Sequence, residues 1–69
     1  MIELDAKGLF CPEPLMMVTD AMKENPGQPI HILVNQASPR DNIIRFAEKK
    51  GRSVSVSEST AGVFSITIS

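Results

Sequence analysis

The stretch Val54-Ser55-Val56-Ser57-Glu58-Ser59-Thr60-Ala61-Gly62-Val63-Phe64-Ser65-Ile66-Thr67-Ile68 decides the fold. Val54 and Val56 alternate with serines, and Phe64, Ile66 and Ile68 alternate with Ser65 and Thr67. A period of two puts successive side chains on opposite faces of a strand, so each run has one apolar and one polar face. The polar segment Glu58 to Gly62 ends in glycine and reads as the connection of an antiparallel hairpin.

Upstream, the same one-sidedness recurs. Ile30, Ile32 and Val34 alternate with His31 and Leu33; Ile2, Leu4 and Ala6 alternate with Glu3 and Asp5, and Gly8 stops the run. Between these strands lie two helical patterns. In the first, Leu15, Val18 and Met22 fall at helical spacing, with Pro14 and Ala21 on the same side, Met17 at the flank and Met16 pointing away. Asn25-Pro26-Gly27 ends it, with Asn25 expected at the left-handed cap. In the second, Ile43, Phe46 and Ala47 form the stripe and Gly51 closes it. Ser38 reads as its N-cap, Pro39 as its first residue and Asp41 as a capping-box acid.

The predicted order is β-α-β-α-β-β. Strands apolar on one face only require both helices on that face. The result is an α+β two-layer sandwich over a mixed four-stranded sheet, a single domain spanning residues 1–69. A βαβ start makes the first two strands parallel, and the final hairpin adds an antiparallel pair.

One stretch carries the chemistry: Gly8-Leu9-Phe10-Cys11-Pro12-Glu13-Pro14, which holds the only cysteine. A residue before proline is pushed to extended angles, which is what an N-cap requires. Pro12 and Pro14 then fall in a first turn whose N–H groups have no intrahelical partner, so they forfeit no bond. Cys11 is thus expected at the positive end of a helix dipole, where the nucleophilic thiolate is favoured. With both prolines lacking an N–H, the Glu13 amide is the expected donor to the sulfur. Its carboxylate opposes the effect, so the expected activation is moderate.

Composition narrows the function classes. A chain of 69 residues makes one domain and buries about 60% of its unfolded surface. One cysteine excludes an internal disulfide and fits a reducing compartment. No apolar run approaches the ~20 residues of a membrane span, and Met1 to Asp5 does not read as a secretory signal; a cytoplasmic protein is expected. A formal net charge of −1, with no Tyr or Trp and three Phe, argues against nucleic-acid binding. One Cys and one His cannot make a zinc site, no hydrolase set is evident, and the glycines form no phosphate cradle. No metal or cofactor is implied. The polar sheet face points to a monomer.

The pattern Leu4-Asp5-x-x-Gly8-Leu9-x-Cys11-Pro12-Glu13-Pro14, followed by Leu15-Met16-Met17-Val18, resembles the TusA/SirA-like sulfur carriers with their Cys-Pro-x-Pro motif. The predicted element order is similar too, so the resemblance spans the chain. It implies a sulfurtransferase-like protein whose motif cysteine, Cys11 here, accepts sulfur as a persulfide. The donor would be a cysteine desulfurase or rhodanese-like protein. An acceptor protein would receive the sulfur, often toward tRNA thiolation. The turn Asn35-Gln36-Ala37-Ser38-Pro39 departs from the Asp-Asp-Pro-like turn of the tRNA-thiolation branch. Arg40-Asp41-Asn42-Ile43-x-Arg45-Phe46-Ala47 is more similar to the YedF-like branch linked to selenium metabolism. Members of that branch often carry a second domain, so the resemblance implies either a stand-alone homologue or an excised domain.

Around Cys11, each residue has a plainer reading as well. A free cysteine is usually a small buried hydrophobe, and the flanking prolines and the resemblance are what favour a reactive one. Pro12 and Pro14 shape the first turn under either reading. Glu13 is either an ordinary first-turn acid that favours the dipole or a proton-handling group. Asp5 is either a solvated strand end or a brace for the loop, and Gly8 is the turn that stops the strand. Phe10 and Met16 are either incidental exposed residues or a partner-docking patch. His31 is structural or exposed on the open sheet face. Arg40, Arg45, Lys49 and Lys50 make the second helix locally basic, either a solvated face with helix-end complementarity or a surface for RNA contact. Besides a carrier, the sequence admits a non-enzymatic binding or regulatory module in which the motif is only a helix cap, and a redox protein forming an intermolecular disulfide.

Overall fold

A computed structural model describes residues 2–10, 13–59 and 61–69. The element order is β1 (Ile2–Asp5), α1 (Glu13–Glu24), β2 (Ile30–Val34), α2 (Ala37–Lys49), β3 (Val54–Glu58) and β4 (Phe64–Ile68). One four-stranded sheet has the order β1-β2-β4-β3. β1 runs parallel to β2, and β4 pairs antiparallel with both β2 and β3. This is the mixed β-α-β-α-β-β sheet expected from the alternation.

Register explains the two layers. Ile2, Ile30, Ile68 and Val54 lie side by side across the sheet, as do Leu4, Ile32, Ile66 and Val56. These rows face the helices. Ile30, Ile32, Val34, Ile66 and Ile68 are fully buried against Val18 and Ala21 of α1 and Ile43 and Ala47 of α2. Burying each isoleucine contributes about 1.5–3 kcal/mol. The opposite rows carry Glu3, His31, Thr67 and Ser55, and Asp5, Leu33, Ser65 and Ser57. Val56, on the edge strand β3, remains 41% exposed, whereas Val54 of the same strand packs against the core.

Local details depart from expectation at three places. The N-cap of α2 is Gln36, at φ −132° and ψ 147°, with no side-chain cap; Ser38 and Pro39 lie inside the first turn. Proline is tolerated throughout that turn because none of its first N–H groups has a partner, so Pro39 cannot fix the start to one residue. Asp41 pairs with Arg40 at 2.9 Å instead of capping. At the end of α1 the left-handed residue is Gly27 (φ +81°), not Asn25, which instead returns its amide and side chain to the Ala21 carbonyl. Glu58 belongs to β3, and the hairpin is closed by Ser59, whose N–H donates to Val63 O at 2.8 Å.

The C-terminus of α2 needs no side chain. Gly51 N donates to Glu48 O and Arg52 N to Ala47 O, each at 3.0 Å, which satisfies the last carbonyls. Arg52 then ties three segments together, donating from its guanidinium to Ser69 O and Gln28 O at 2.8 Å each.

Candidate functional site

The expected site lies where β1 passes into α1. Cys11 and Pro12 lie outside the described residues, so the geometry here is that of their neighbours. Ala6 is fully buried and its N–H donates to Leu33 O at 2.8 Å, which docks the end of β1 on β2. Asp5 ends β1 and contacts the loop that follows. Its Oδ1 accepts from Lys7 N at 3.0 Å and its Oδ2 lies 3.9 Å from Lys7 Nζ, although its side chain is exposed. Gly8 takes φ +80°, a left-handed conformation that disfavours any residue with a Cβ. Leu9 turns back onto the core, and its N–H donates to Ala6 O at 3.2 Å.

Glu13 is exposed and Pro14 is fully buried. The Glu13 amide donates to Phe10 O at 2.9 Å; the bond expected from it to the Cys11 sulfur falls on a residue outside the described ones. With prolines at 12 and 14, Leu15 holds the next main-chain donor along the chain. Phe10 and Met16 are 69% and 56% exposed, so both are available at the surface on either side of Cys11 in sequence.

One contributor was missed by sequence reasoning. Asn35, in the turn after β2, accepts a hydrogen bond from Gly8 N at 3.0 Å through its side-chain Oδ1. The partners are 27 residues apart. The only signal was a polar residue with a short acceptor side chain just past the last alternating position of β2.

The remaining candidates do not join this site. His31 is half-buried on the open sheet face, with Nε2 hydrogen-bonded to Ser65 Oγ and Nδ1 3.5 Å from Glu3 Oε1. The line Glu3-His31-Ser65 has the residue types of a hydrolase relay. However, β4 is paired along both edges, so the main-chain amides around Ser65 are committed to the ladder and supply no oxyanion hole. Among the described residues no group of three or more His, Cys, Asp or Glu converges to hold a metal, and no helix is long and apolar enough to cross a membrane. A groove of about 360 Å³ opens between the C-terminal ends of α1 and α2, floored by Met22 and Phe46. It lies away from the start of α1.

Comparison with known proteins points the same way. The family described as "Sulfurtransferase TusA" matches residues 2–69. A Methanocaldococcus jannaschii protein assigned as a sulfur carrier is 35% identical over 69 residues, which is 99% of this chain and 92% of that one. The sulfur carrier protein TusA of Pseudomonas syringae pv. syringae is 35% identical over 63 residues, 90% of this chain and 75% of that one. The crystal structure of a SirA-like protein from Desulfitobacterium hafniense superposes with a TM-score of 0.93 at 31% identity. The match covers 99% of this chain and 95% of that one.

Proposed function

Because the chain belongs to the TusA sulfurtransferase family, we propose that it is a sulfur carrier in which Cys11 bears the transferred atom as a persulfide. Family membership over nearly the whole chain, in a sequence with a single thiol, supports this reading.

The chemistry follows from that thiol. The Cys11 thiolate attacks the outer sulfur of a donor persulfide. A new S–S bond forms on Cys11 while the donor's S–S bond breaks, and the donor sulfur departs as a thiolate with the bonding pair. In the second half, an acceptor thiolate attacks the outer sulfur of the Cys11 persulfide and Cys11 is released as thiolate. No electrons are gained or lost overall, so the chain itself needs no cofactor for this exchange. A cysteine desulfurase or rhodanese-like protein is the proposed donor, and a second protein the acceptor.

The neighbours divide the remaining work. Pro12 and Pro14 stiffen the start of α1, Gly8 makes the turn that leads into it, and Asp5 braces that turn. Phe10 and Met16 form an adaptable apolar contact for donor and acceptor, which must approach the same sulfur in succession. Replacing Cys11 by Ser tests the reading in a reconstituted donor–carrier–acceptor assay. The variant should keep its affinity for the donor and pass no sulfur. Undiminished relay by the variant would instead make this a binding module.

A further inference from the structure

The pairing of β1 with β2 continues beyond the strands themselves. Main-chain rungs run from Ile2 N to Pro29 O at 3.0 Å and from Ala6 N to Leu33 O at 2.8 Å, both with the same 27-residue offset. In a parallel ladder alternate residues of one strand donate to alternate residues of the next. The next donor in line is Gly8 N, and the acceptor that the register requires is the carbonyl of Asn35. The rung is present at 3.0 Å and at that same offset, but it ends on Asn35 Oδ1. A side-chain oxygen has taken the place of the main-chain one.

This exchange resolves a conflict. The backbone must leave the sheet at residue 35, because Gln36 is already the N-cap of α2. A main-chain carbonyl cannot both hold Gly8 and turn away. A short amide side chain can bring an acceptor back beside its own backbone while that backbone departs. Among the described residues, the other hydrogen bonds made by the main-chain N–H groups of residues 7–10 stay within the loop: Lys7 to Asp5 and Leu9 to Ala6. The Asn35 rung therefore links the loop before Cys11 to another element.

We propose that Asn35 is a positioning residue for sulfur transfer, holding Gly8 so that the loop delivers Cys11 in one orientation. The proposal rests on Cys11 carrying the sulfur. The test compares the unaltered chain with Asn35→Ala and Asn35→Asp. It measures Gly8 amide exchange, the alkylation rate of Cys11 by iodoacetamide, and sulfur loading by a cysteine desulfurase with free cysteine. In Asn35→Ala, Gly8 exchange should accelerate and loading should fall by about threefold to tenfold, the range expected for one lost hydrogen bond. The core amides of Ile32 and Ile66 should keep their protection. Asn35→Asp, whose carboxylate can accept the same bond, should restore both rates. Gly8 exchange that accelerates with loading unchanged would make the rung merely structural and overturn the proposal, as would failure of the aspartate to restore loading. Should the unaltered chain take up no sulfur at all, the carrier reading falls and this proposal with it; loading of the unaltered chain with no loss in Asn35→Ala overturns the positioning role alone.

Discussion

The main-chain N–H of Glu13 donates to the carbonyl oxygen of Phe10 at 2.9 Å, joining the described residues on either side of Cys11-Pro12. The bond uses the Glu13 backbone and leaves its exposed carboxylate free to act only through its charge. That charge lies two residues from the thiol and opposes formation of the thiolate. Glu13→Gln keeps the amide and removes the charge. Alkylation of Cys11 at neutral pH should quicken by a few-fold, less than about tenfold for a single solvent-screened charge. A rate unchanged or slower would show that the carboxylate assists the thiol.

Gly8 tests the backbone rather than the charge. At φ +80° an added Cβ meets nothing within 4 Å, so the penalty of Gly8→Ala is conformational and not steric. Urea unfolding should show a loss of about 1–2 kcal/mol. An alanine variant as stable as the parent would mean that the turn relaxes to an ordinary conformation without loss.

Phe10 and Met16 expose large apolar surface where the packing of the core does not require it. The double change Phe10→Ser with Met16→Ser should leave unfolding free energy within about 0.5 kcal/mol, as expected for exposed positions. Alkylation of Cys11 by a small reagent should be unaffected while loading by the donor protein slows. Equal slowing of both reactions would point to a disturbed loop and remove the docking role.

The sheet itself provides a contrast in burial. Ile32 is fully buried in β2 and Val56 is 41% exposed in β3, though both lie in one cross-strand row. Ile32→Ala should cost about 2–5 kcal/mol, a large share of the stability of so small a domain. Val56→Ala should cost under about 1 kcal/mol. Comparable losses at the two sites, read by chemical denaturation, would place a cover over the β3 edge.

The fold was legible because period-two alternation is a local signal and every strand carries it. From Ile2 to Ile68 one apolar face per strand was enough to place both helices on one side. Helix starts were less legible, since Pro39 suits several positions of a first turn and Gln36 caps α2 with no side-chain bond. Asn25 and Gly27 competed for the left-handed position, and the residue without a Cβ took it. The bond from Gly8 to Asn35 was the least legible feature, signalled only by a short polar side chain just past β2. It depends on the register of β1 against β2, which no local pattern contains.

The central claim is that Cys11 carries sulfur as a persulfide, and intact-mass measurement after incubation with a cysteine desulfurase and free cysteine tests it most directly. The account predicts a gain of one sulfur atom that maps to the peptide containing Cys11, disappears on reduction and is absent from Cys11→Ser. An unchanged mass with several active donors, or a sulfur gain that persists in Cys11→Ser, would contradict it.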